Sequence, residues 1–193
     1  MWLDEVGGLP SICRMLSSSS SPHLQQNAAD ATCFLSSRGT GSTAQLQAEG
    51  LQTALPALIL CLSSEDSCLR DNAAGALAAM ARHEINHAKL ISLQGHFRLL
   101  KLLATDSCSR VAQHSCLTAL VLLAKSGSSS QCFMEASALK ELSALLTAPK
   151  EQKQVLSLEL LTAIFSGWWN GSTGPLRRLQ HAKLWRFFSS CAA

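Results

Sequence analysis

The chain repeats itself. Leu24–Ala31, with the sequence LQQNAADA, returns 45 residues later as Leu69–Ala76, LRDNAAGA, with five of eight positions identical. Ala76-Leu77 falls on Ala119-Leu120 after a further 43 residues, and Ala81-Arg82 falls on Ala124-Lys125. The same step carries Leu117 to Leu160 and Ala119 to Thr162, keeping the apolar pattern while losing identity. A self-similar period of this length specifies stacked units, none of which can bury its apolar face alone.

A second landmark precedes each of these segments: Gly8-Leu9-Pro10, Gly50-Leu51, Gly95-His96-Phe97 and Ala138-Leu139. Each opens an apolar run at helical spacing, such as Leu55, Leu58, Ile59 and Leu62, or Leu99, Leu100, Leu102 and Leu103. Polar stretches at residues 17–22, 63–67, 105–109 and 147–150 then stop the run, helped by Pro22 and Pro149. Each unit therefore reads as a short first helix, a glycine bend, a second helix, a polar turn and a longer third helix. Leu77 and Leu120 are expected in the shared core. Composition agrees: 47% of residues are hydrophobic, charged residues are 15% and Tyr is absent, so a Leu- and Ala-rich helical chain is favoured over a β-sandwich.

Arg70-Asp71-Asn72-Ala73-Ala74-Gly75-Ala76-Leu77 resembles the start of the third helix of an armadillo repeat, and Asn86-His87-Ala88-Lys89-Leu90-Ile91 followed by Gly95 resembles that family's link to the next repeat. The resemblance implies an all-α, right-handed α-solenoid of about four armadillo-type repeats. The units are expected near residues 5–47, 48–91, 92–134 and 135–166, followed by a segment 167–193 containing a Trp-rich loop at 167–175 and a C-terminal capping helix. It further implies a non-catalytic scaffold or assembly subunit that holds an extended peptide or amphipathic helix in a groove lined by third helices. The groove candidates are Asn27, Asp30, Phe34, Asn72, Gln113 and Thr118 in otherwise apolar surroundings. Some relatives serve as substrate-recruiting arms of ubiquitin ligases, which is the alternative role. Four units is short for such an array, which implies either a larger assembly or a longer parent array.

Nuclear-import adaptors of this family carry a Trp and, four residues later, an Asn on each third helix. The Trp positions fall here on Asp30, Gly75, Thr118 and Leu161, and the Asn positions on Phe34, Ala79, Leu122 and Phe165. None matches, so recognition of localisation peptides by that device is not expected.

One catalytic pattern occurs. His83-Glu84-Ile85-Asn86-His87 fits H-E-x-x-H, in which two His on one helical face bind zinc and the Glu acts as general base. A zinc metalloprotease is thus the remote alternative. It lacks an evident third ligand, and the five residues fall at a repeat junction. No phosphate-binding loop or nucleophile elbow is present. We expect no enzyme activity, no metal and no cofactor.

The eight cysteines form no C-x-x-C pair, and most sit among apolar residues, as buried free thiols do in a reducing compartment. Met1–Glu5 lacks the pattern of a signal peptide, and the apolar stretch Leu51–Leu62 is too broken to span a bilayer. The cytoplasm, including its cytoskeletal or ciliary structures, or the nucleus is the expected location. Net charge is only +3, but the end of the chain has Arg177, Arg178, Lys183 and Arg186 with no acid after Glu159. With Trp168, Trp169 and Trp185, these make a candidate docking segment for another protein, or an aromatic cap; nucleic acid is not the expected partner.

Overall fold

A computed structural model of the chain describes residues 8–18, 21–38, 50–106, 108–126, 132–133, 135–149 and 151–171. These residues form nine α-helices: α1 Gly8–Ser18, α2 Pro22–Arg38, α3 Leu55–Cys61, α4 Ser67–Met80, α5 His87–Ser92, α6 Gly95–Ala104, α7 Arg110–Lys125, α8 Ala136–Leu146 and α9 Glu151–Gly171. Two 3-10 segments, Leu51–Ala54 and Glu84–Asn86, precede α3 and α5. The four third helices expected from the repeat are α2, α4, α7 and α9. The chain divides into two compact units, Met1–Ala119 and Leu120–Ala193, with the division inside α7.

In the first unit the broadest packing is between α2 and α4. Small residues permit it: Ala73, Ala74 and Ala76 are buried, and a Cβ at Gly75 would sit 3.7 Å from the Cys33 Sγ. Leu77 is fully buried, as its place in the repeat requires.

Caps stitch the third helices together. Asp66, in extended conformation, accepts from the Cys68 and Leu69 amides at 2.8 and 3.2 Å, satisfying two orphan donors at the start of α4. Its other oxygen accepts from the Gln26 amide on α2 at 2.7 Å. One repeat on, Ser109 accepts from the Ala112 amide at 3.0 Å and donates to Asp71 on α4 at 2.8 Å. The polar turns at residues 63–67 and 105–109 thus start α4 and α7 and also tie each to the third helix before it.

The bend between α5 and α6 differs in detail from the glycine bend expected. Gln94, not Gly95, takes the left-handed conformation, with φ 55°. Gly95 is needed for a different reason: a Cβ there would lie 3.0 Å from the Leu90 carbonyl oxygen and 3.1 Å from the Ile59 Cδ1.

In the second unit α8 packs on α9, and Phe133, Leu142, Leu145, Leu160 and Ile164 are buried. Leu120 is fully buried as well. Here the expected loop starting at Gly167 is corrected. Helix α9 continues unbroken through Gly171, carrying the backbone of Trp168 and Trp169. A Cβ at Gly167 would collide with the Ala124 carbonyl, 2.8 Å from its carbon. The glycine that reads as a helix stop is instead a close-packing point inside the helix. The side chains of Trp168 and Trp169, and the C-terminal candidates Arg177, Arg178, Trp185 and Arg186, lie outside the described residues.

Candidate partner-binding surface

Among the described residues eight large apolar side chains are exposed, and five of them, Leu24, Phe34, Val111, Val155 and Leu158, stand on third helices. Helices that pack only through their inner face do not need such residues on the outer one.

On α2 the exposed face is concave. Asn27, Asp30, Ala31, Phe34 and Leu35, at helical spacing, join Ile12 of α1 around a cavity of about 440 Å³. Phe34 is 55% exposed, a large apolar ring presented to solvent. Asp30, one turn before it, is the single charged side chain lining the cavity. Three of the six groove candidates, Asn27, Asp30 and Phe34, are therefore brought together.

The other three are not part of this cavity. Asn72 on α4 is half-buried and donates from Nδ2 to the Gln26 carbonyl at 3.2 Å. Gln113 donates to the Cys108 carbonyl just ahead of α7 at 3.1 Å, and Thr118 to the His114 carbonyl within α7 at 2.8 Å. Ala79 and Leu161, where import adaptors would place an Asn and a Trp, are buried. Their helical register directs those positions into the core.

The H-E-x-x-H residues do not form a metal site. They never share one helix: His83 is extended, Glu84–Asn86 is a 3-10 turn, and His87 begins α5. The His83 Nε2 lies 3.1 Å from the Ser36 carbonyl near the end of α2. The His87 Nε2 lies 2.7 Å from the Ala81 carbonyl just past α4, and Asn86 donates to the Met80 carbonyl at 2.9 Å. A carbonyl only accepts, so both Nε2 atoms carry protons and are closed to a metal. These residues cap the ends of α2 and α4, where helices leave carbonyls unpaired. No group of three or more metal-ligating side chains occurs among the described residues.

The seven described cysteines are free thiols. Burial pushes the Cys33 and Cys61 thiols up, and burial with help from Glu135 pushes Cys132 up to about 12. Hydrogen bonding with the Cys108 thiol, together with burial, holds Cys116 well above its usual range. His114, two residues from Cys116, is exposed while Cys116 is buried, so the two form no nucleophile–base pair.

No family model matches the chain, and no curated protein does. Solved structures do. A computationally designed armadillo repeat protein for modular peptide recognition superposes with a TM-score of 0.69 at 26% identity, over 83% of this chain and 66% of that one. A designed armadillo repeat protein in complex with the peptide (KR)4 gives 0.67 at 20% identity, over 96% and 84%. An engineered protein gives 0.69 at 25% identity over 86% of this chain, which spans only 39% of it. The chain has an armadillo-like repeat fold, the all-α solenoid class that its internal period implies. No helix among the described residues is long and apolar enough to cross a membrane.

Proposed function

We propose that the chain is a non-enzymatic protein-binding scaffold whose third helices hold a peptide segment. The observation that carries this reading is the cavity on α2, where an exposed Phe34 and a single carboxylate, Asp30, sit one turn apart. That pairing suits a segment presenting an apolar side chain to Phe34 and Ile12 and a basic one to Asp30. The fold supports it, since one designed protein of this fold was made for modular peptide recognition and another is in complex with (KR)4. The segment is extended, or is an amphipathic helix that lays an apolar stripe on the same face. Free thiols suit a reducing compartment, hence the cytoplasm.

The test is affinity purification of the tagged chain from its native cells beside a variant carrying Asp30→Lys and Phe34→Ala. A stoichiometric set of proteins retained by the wild type and lost by the variant is the expected result. The same set on both would remove this surface from the account. Co-purification of a ubiquitin-ligase module would specify the alternative role.

A further inference from the structure

The first unit holds a second cavity, of about 430 Å³, lined by Ser63, Ser64, Arg70, Phe97, Arg98 and Lys101, among others. It lies at the turn between α3 and α4, against α6, and shares no residue with the Asn27–Asp30–Phe34 cavity. Three cations line one concavity. Arg98 is held by a bond to the Ser63 hydroxyl at 3.1 Å, and Arg70 by bonds from Nη1 to the Ser64 and Glu65 carbonyls at 2.8 and 2.9 Å. None of the three is bonded to a carboxylate among the described residues. The nearby acids lie outside the lining: the Asp66 carboxylate is spent on the start of α4 and on Gln26, Asp71 accepts from the Ser109 hydroxyl, and the Glu65 and Asp106 side chains are exposed.

A guanidinium held through one nitrogen keeps further N–H donors in a fixed fork, the geometry that matches phosphate oxygens. Hydroxyls from Ser63 and Thr105 and the Gln94 amide add polar groups to the lining. Gln94 stands there on a left-handed backbone, a conformation that costs a non-glycine residue stability and gathers at ligand sites. Apolar groups complete the wall: Leu62 and Leu102 are buried and Phe97 is half-buried.

We infer that this cavity binds a phosphorylated serine or threonine of a partner peptide. Arg70, Arg98 and Lys101 take the dianionic phosphate, and Phe97 takes a neighbouring apolar side chain. A carboxylate alone offers fewer acceptors than three cations can serve, whereas a phosphate has three strong ones. A lipid headgroup fits less well, because Leu62 and Leu102 are recessed in the wall and do not project as a wedge into a bilayer.

The experiment is an amide chemical-shift titration of the chain with a short peptide carrying one phosphoserine flanked by leucines. The unphosphorylated peptide, inorganic phosphate and vesicles containing a phosphoinositide are run in parallel. Shifts confined to residues 62–65 and 94–105 are expected with the phosphopeptide, weaker ones with phosphate, and none with the unphosphorylated peptide. Arg98→Ala and Lys101→Ala, both at exposed positions, should each weaken phosphopeptide binding about tenfold, the size of one lost charge-assisted bond, with the melting temperature unchanged. Absent or scattered shifts, affinity unaltered in both variants, or tighter binding to the vesicles than to the peptide would each overturn the inference. Because the two cavities share no residue, such a failure would leave the Asp30–Phe34 reading untouched.

Discussion

Asn72 donates its side-chain amide to the Gln26 carbonyl oxygen at 3.2 Å, across 46 residues of sequence. This bond joins two consecutive third helices, and it shows how repeated residues divide their labour. Asn72 and Asn27 occupy equivalent places in the repeat, yet Asn27 is exposed at the rim of a cavity while Asn72 is half-buried and engaged. Asn72→Ala removes a bond between helices and leaves a main-chain acceptor less satisfied. It should lower stability by about 1 kcal/mol, and Asn27→Ala by less than half of that. Urea unfolding of the two variants checks the contrast.

Leu77 and Leu120 are both fully buried. Replacing either with Ala should cost about 2–5 kcal/mol, from lost transfer energy and the cavity left behind. Changes below about half a kcal/mol at both positions in denaturant unfolding would contradict the packing described.

Gly167 tolerates no Cβ against the Ala124 carbonyl, since backbone cannot step aside as a side-chain tip can. Gly167→Ala should therefore destabilise the second unit by about 1–3 kcal/mol or more, although Ala is the better helix former. Thermal unfolding followed by circular dichroism would show it.

The buried thiols set an alkaline limit. The folded-state pKa of Cys132 stands near 12 against an ordinary 9.0, and Cys33, Cys61 and Cys116 are raised in the same direction. A group whose pKa is raised on folding contributes stability that is complete below its unfolded pKa. That contribution is lost as pH rises from 9.0 towards about 12. The urea midpoint should fall across this window and hold steady below it. At neutral pH Cys68, exposed on α4, should react first with a thiol reagent among the described cysteines.

Zinc should not stabilise the chain. Both imidazoles of the H-E-x-x-H stretch donate to main-chain carbonyls. His87→Ala should lower the melting temperature by uncapping the end of α4, equally with and without added zinc. A rise in melting temperature with zinc that His87→Ala abolishes would restore the metal reading.

The helices were legible in the sequence because stacking imposes one period on core positions, polar turns and third-helix starts alike. Leu77, Leu120 and the polar turns all fall where the repeat places them. Single-residue events were not legible. Gly167 and Gly95 look like helix punctuation, but each marks a close approach between segments distant in sequence or fixed by tertiary packing. Gln94 gives no glycine signal for its left-handed turn. At the candidate site the period placed Asn27, Asp30 and Phe34 one helical turn apart, which the structure keeps. It could not tell that Asn72, Gln113 and Thr118 would spend their polar groups on carbonyls. The basic cavity was missed because Arg70, Arg98 and Lys101 come from two segments and are unremarkable in each.

The most direct test of the central claim is the affinity of one peptide for two forms of the chain. A peptide selected from a random library on the immobilised wild-type chain would be titrated against the wild type and against Asp30→Lys. The expected peptide carries a basic residue beside an apolar one, and Asp30→Lys weakens its binding about tenfold or more while the melting temperature is unchanged. A selected peptide that binds both forms equally, or lacks any basic residue, would contradict it.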